Sequence, residues 1–188
     1  MSRILSMAQA RWRPDTTALV ISGSLVMAFS AHIAVRVPFS PVPITGQTLA
    51  LPLIVAALGR NRAVMAIFLY LAEGASGLPV FAPGGIGPFT LIGPTAGYLW
   101  GFLGAAWLLG TLFELGLVEN VLGRLLSIAL SDAVVFALGA VWLAHFVGID
   151  RAFALGVTPF LVGDALKVGI ATFTAPAAFR VTAMFPRH

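Results

Sequence analysis

GASGLPVFAPGGIGPFTLIGPTAGYLWGFLGAAWLLGTLF, residues 74–113, runs from just after Glu73 to just before Glu114 without one charged side chain. Its two halves differ in kind. Glycine and proline crowd the first, roughly Gly74 to Pro94, so no long regular element fits there. The second half, from about Ala96 to Leu115, reads as a helix. A long apolar loop such as the first half would be a liability in water, with Phe81, Ile86, Phe89 and Leu91 set among its turn residues. Non-helical backbone at membrane depth is tolerated where protein or a cavity buries it, so this loop is expected to fold back as a lid or plug. Resting on lipid headgroups is the alternative.

The composition around this stretch points to a bilayer. The chain of 188 residues is 59% hydrophobic and 10% charged, with a mean hydropathy of +0.98. A soluble surface of this size needs far more polar cover. The length suits one compact membrane domain. Cysteine is absent, which excludes a disulfide framework and thiolate metal sites. The net charge of +4 comes from scattered arginines and not from a basic stripe, so no nucleic-acid partner is expected.

A bilayer crossing takes about 20 helical residues, and five further runs approach that. Thr16 to Val35 comes first. Val37 to Gly59 is Pro-rich at its start, which places its helix at Gln47 to Leu58. Ala63 to Ala72 follows an expected turn at Arg60-Asn61-Arg62. The fifth helix is expected from about Val121 to Phe146. The sixth should open on Thr158 as N-cap with Pro159 in the first turn, and run to about Phe179. The fold class expected is therefore an all-α membrane protein of six transmembrane helices, with a folded-in outer loop between helices 3 and 4.

Six helices put both termini on one side. With the termini inside, the inner ends hold Arg3, Arg11, Arg13, Arg60, Arg62, Arg124, Arg180 and Arg187, and the outer loops only Arg36 and Arg151. That asymmetry predicts cytoplasmic N and C termini in a multi-pass cell (inner or plasma) membrane protein. The domains expected are a cytoplasmic segment 1–15, a six-helix transmembrane substrate-binding domain 16–180 and a cytoplasmic tail 181–188. MSRILSMAQARWRPD lacks the apolar core and small-residue cleavage site of a signal peptide and reads as a retained segment.

Catalytic signatures are missing. There is no phosphate-binding G-x-x-x-x-G-K-[ST], so any ATP-driven step belongs to another protein. No H-E-x-x-H, nucleophile elbow or dinucleotide fingerprint occurs, and His32, His145 and His188 lie on separate segments. Neither an enzyme nor a metal or cofactor site is expected.

GDALKVG, residues 163–169, is different. It holds Lys167, the chain's one lysine, three residues after Asp164. At that spacing the two share a helix face. Counted from Pro159 as the first helical residue, they sit on the order of 7 and 12 Å below its outer end. Ionisable groups at such depth cost a few kcal/mol and mark a site unless they only neutralise each other. Asp132, midway along the fifth helix, is a second candidate for a buried acid, either as a polar contact in the bundle or in a pocket role. Gly97, Gly101 and Ala105 form a small-residue stripe suited to packing within the bundle. Ser24, Ala28 and Ala31 form another, for packing or for docking a partner membrane protein.

Four blocks now occur in order: Pro41-Val42-Pro43-Ile44-Thr45-Gly46-Gln47-Thr48-Leu49, Gly77-Leu78-Pro79-Val80-Phe81, Gly93-Pro94-Thr95-Ala96-Gly97-Tyr98-Leu99, and Gly163-Asp164 with Lys167. Together, over roughly residues 17 to 180, they resemble the BioY family, the biotin-specific S components of energy-coupling-factor (ECF) vitamin transporters. The first and third blocks are the more specific. Ala96 departs from a GPTGG form of the third. The resemblance implies a membrane subunit that binds biotin near the outer face, under the loops after helices 1 and 3. It implies as partners a transmembrane coupling protein and two cytoplasmic ATPases, although family members also work without them.

Biotin presents a cyclic urea on an apolar bicycle and a tail carboxylate. Asp164 can accept from the urea N–H groups. Lys167 can donate to the urea carbonyl or meet the carboxylate, and Gln47 can do either job. Phe81 and Tyr98 can form an apolar wall. Gly85, within the Gly84-Gly85-Ile86-Gly87 run, completes the implied set. That run carries no charge, which leaves the carboxylate to Lys167 or to solvent. Two other readings are an S component for another small vitamin and a proton-coupled secondary transporter using Asp132 or Asp164 as relay.

Overall fold

A computed structural model describes residues 14–85 and 87–183 of the chain. The elements are α1 (Pro14–His32), β1 (Ala34–Val35), β2 (Ile44–Thr45), α2 (Gln47–Leu58), α3 (Arg60–Ala75), a 3-10 turn (Gly87–Leu91), α4 (Ala96–Glu114), α5 (Val121–Val147), α6 (Ile149–Gly156) and α7 (Leu161–Ala183). Most of the 1–15 segment, the end of the 181–188 tail, Arg3, Arg11, Arg13, Arg187, His188 and Ile86 lie outside the described residues, as does the side chain of Arg180.

The protein is all-α apart from one small antiparallel ribbon, in which Ala34 pairs with Thr45 and Val35 with Ile44. Helix α4 packs along α5, α2 along α7, and α1 along α3. By length and hydropathy two helices can cross a membrane, α4 and α5, and the bent pair α6 with α7 can form a third span. Thr16–His32 and Gln47–Leu58 are shorter apolar helices. Large side chains cover the outside: Phe29 is 72% exposed, Phe173 73% and Val162 78%. Such a surface suits lipid and not water.

Three local expectations are corrected. Arg60, Asn61 and Arg62 do not form a turn; they are the first turn of α3. The reversal is concentrated on Gly59, whose φ of +75° only glycine adopts freely. Thr158-Pro159 does not open the last helix, which begins at Leu161. Thr158 instead closes the preceding helix, its N–H donating to the Phe153 carbonyl at 3.1 Å. The outer loop expected to hold Arg151 contains α6, which buries Ala152 and Gly156.

Close backbone approach at α4 rests on its small stripe. A Cβ on Gly97 would lie 2.3 Å from the Trp142 Cβ, and one on Gly101 would lie 3.1 Å from the Val135 Cα. The stripe on α1 also faces inward, since Ser24, Ala28 and Ala31 are all buried. Docking by those three residues is therefore excluded. The Ser24 hydroxyl donates to the Glu73 carboxylate and ties α1 to α3.

One end of the bundle is held by arginines. Pro176 has no N–H, so the Thr172 carbonyl four residues earlier loses its helical donor. The Arg124 Nε donates to that carbonyl at 3.1 Å. Its Nη1 donates to the Val118 and Glu119 carbonyls, both at 3.1 Å. Arg60 pairs with Glu114 at 3.0 Å beside them.

Candidate functional site

At the opposite end the glycine-rich loop folds back over the helix starts. Phe81 anchors it: the ring is 4% exposed and meets Tyr70 edge-on with centroids 5.4 Å apart. It occupies the space a side chain on Gly74 would need, since a Cβ there would fall 2.0 Å from the Phe81 Cζ. Farther along, the Trp142 Nε1 donates to the Gly93 carbonyl at 2.9 Å and the Trp100 Nε1 to the Leu91 carbonyl at 3.2 Å. The loop thus has apolar and hydrogen-bonded fixings, as a plug requires.

Under the loop lies a cavity of about 690 Å³, lined by Asp164, Lys167, Gln47, Tyr98, Phe81 and Gly85 among others. All six residues singled out in the sequence thus border one space. The volume falls in the range of small-molecule sites.

The polar side of the cavity is a knot of three segments. Asp164 sits in the first turn of α7, where the helix dipole favours a carboxylate. Counted from Leu161, Asp164 and Lys167 lie about 4.5 and 9 Å along the helix, shallower than a start at Pro159 suggests. Lys167 Nζ donates to Asp164 Oδ1 at 3.0 Å, to Thr48 Oγ1 at 3.1 Å and to the Thr45 carbonyl at 2.7 Å. The Thr48 hydroxyl donates to Asp164 Oδ1 at 2.5 Å. All three ammonium protons have partners within the protein. Asp164 Oδ2 has none among the described residues, and it is not shut off from the cavity.

Gln47 is held as well. Its Nε2 donates to the Tyr70 hydroxyl at 3.0 Å, and its Oε1 accepts from the Thr45 hydroxyl at 3.2 Å. The Tyr98 hydroxyl donates to the Gly156 carbonyl at 2.8 Å. That bond docks α6 and fixes the ring at the cavity lining. Phe136 meets Tyr98 at 6.4 Å and Phe160 at 5.8 Å, which continues the aromatic wall.

Asp132 does not belong to this lining. It is 4% exposed, and neither carboxylate oxygen has a hydrogen-bond partner among the described residues. Arg124, eight residues away, bonds carbonyls instead.

Sequence reasoning gave no site role to Thr45, Thr48, Arg36, Phe136 or Phe160, all of which border the cavity. Thr48 belongs to the Pro41–Leu49 block, but its partner is 116 residues away. Only the tertiary fold joins the two. The signal for Arg36 was its isolation as a cation in a segment otherwise without charge.

The BioY family model matches residues 6–184. A biotin transporter, BioY2 of Lactococcus lactis subsp. cremoris, is 33% identical over 175 residues, 86% of this chain and 88% of its own. A probable biotin transporter of Pyrococcus horikoshii is 36% identical over 156 residues, 81% of this chain and 92% of its own. The biotin transporter BioY of Thermotoga maritima is 34% identical over 160 residues, covering 85% and 88%. Among solved structures, the S-component for biotin from an ECF-type ABC transporter superposes with a TM-score of 0.77. It is 24% identical and covers 90% of this chain and 91% of that one, so it speaks for the fold. Near-full-length matches to transporters and the shared helical fold agree with the four sequence blocks: the chain belongs to the BioY family, membrane transport proteins and not enzymes.

Proposed function

We propose that this chain is the substrate-binding membrane subunit for high-affinity biotin uptake. It works with an ECF module of one transmembrane coupling protein and two cytoplasmic ATPases. The observation that carries the ligand is the knot beside an apolar wall. Asp164 Oδ2 is the free acceptor at the cavity, suited to a urea N–H. Lys167 neutralises the carboxylate without competing for that oxygen. Tyr98, Phe136 and Phe81 offer the apolar surface that a bicycle and methylene tail need. Relatives named as biotin transporters support the choice of ligand.

Biotin enters from outside, with both termini cytoplasmic and residues 16–180 as the six-helix binding domain between the 1–15 and 181–188 tails. The arginine asymmetry supports that orientation. The chain itself supplies no ATP-binding motif, so energy comes from the module.

Equilibrium binding of labelled biotin to the purified protein tests this reading. Tight binding is expected, weakened at least tenfold in Asp164→Asn, since a lost charge-assisted hydrogen bond is worth about 1.5–3 kcal/mol. Displacement by a different vitamin, with excess biotin ineffective, would reassign the ligand.

A further inference from the structure

We propose that Arg36 is the residue that captures the ligand's carboxylate; this rests on the biotin reading. Of the described residues that line the cavity, Lys167 and Arg36 are the cations. Lys167 is not available for an anion, because Asp164, Thr48 and the Thr45 carbonyl take its three protons. A carboxylate brought to it would also meet Asp164, a like charge bonded to the same ammonium.

Arg36 is placed for the task. It follows β1, two residues beyond Ala34, whose ribbon partner is Thr45. It therefore stands on the order of 7 Å along the ribbon from the carbonyl that anchors Lys167, on the lining of the same cavity. Its Nη2 donates to the Pro83 carbonyl at 2.9 Å, which fixes the guanidinium against the glycine-rich loop. Gly84 lets it lie there: a Cβ at that residue would come within 2.8 Å of Nη2. The remaining donors of the group have no partner among the described residues. Asp164 and Arg36 border one cavity, so a ligand whose urea meets Asp164 can extend its valeric-acid tail to an anchored guanidinium with donors to spare. Arginine meets a carboxylate with paired donors, which adds geometry to charge.

The test compares biotin with biotinamide, which keeps the ring and tail but lacks the negative charge. The wild-type protein should prefer biotin by about tenfold or more, as expected for a charge-assisted pair. In Arg36→Met that preference should collapse, with biotinamide affinity unchanged, and Arg36→Lys should restore part of it. An equal loss for both ligands would show Arg36 to be only a loop fastener, and a preference that survives Arg36→Met would place the carboxylate elsewhere; either result overturns the assignment while leaving the biotin reading standing. Failure of the wild-type protein to bind either ligand overturns both. Should Arg36→Met not fold, the ratio of the two affinities in Arg36→Lys and Arg36→Gln decides in the same way.

Discussion

Asp164 and Lys167 stood out in the sequence because charges are expensive among apolar residues. Their contact at 3.0 Å follows from spacing along one helix. The third member of the knot, Thr48, had no such signal. A threonine in a helix ordinarily bonds its own backbone, and only the packing of α2 on α7 turns this one toward Asp164. Asp132 is the contrasting case, a buried acid whose oxygens have no hydrogen-bond partner among the described residues. A group of that kind costs stability. Asp132→Leu is expected to raise unfolding stability by about 1–3 kcal/mol and to leave biotin affinity unchanged, because the residue lies off the cavity. Thermal unfolding in detergent, with and without biotin, checks both parts. A lower melting temperature or a weakened biotin shift would give Asp132 a role beyond the packing seen here.

At the scale of elements, long uncharged runs were legible and their ends were not. Helix α2 occupies the expected Gln47–Leu58, while α3 begins earlier and α7 later than composition suggested. Polarity misled at Arg60–Arg62, where a helix start at the bundle end accommodates charge. Thr158-Pro159 misled because the Val157 and Thr158 N–H groups both donate to the Phe153 carbonyl and so end α6. Helix α6 was missed since Tyr98 supplies its anchor from far away in the chain. That anchor depends on a glycine: a Cβ on Gly139 would stand 2.3 Å from the Tyr98 ring. Gly139→Ala should displace the ring, release Gly156 and cost about 1–3 kcal/mol, with biotin affinity lowered as the wall shifts. Gly169→Ala on α7, whose added Cβ meets nothing within 4 Å, should be neutral or slightly stabilising. Melting temperatures of the pair compare a packed glycine with an open one.

For the whole molecule, the sequence indicated a polar asymmetry that the fold lays out in space. Arg60, Glu114 and Arg124 gather at one end, and the ribbon, loop and cavity gather at the other. The side of the membrane each end faces is a separate matter. The absence of native cysteine makes it directly measurable. With the proposed orientation, a membrane-impermeant maleimide should label Asp150→Cys in intact cells and should reach Glu119→Cys only after lysis. The opposite pattern would invert the protein.

The knot at Lys167 has a consequence for the heat of binding. Its hydrogen bonds link α2, α7 and the ribbon through protein groups alone, so the entropy of ordering these side chains is a term in folding and not in ligand capture. What remains for binding is the drying of an aromatic wall and the polar contacts proposed at Asp164 and Arg36. The calorimetric signature of this site is then a negative heat-capacity change with little conformational ordering behind it.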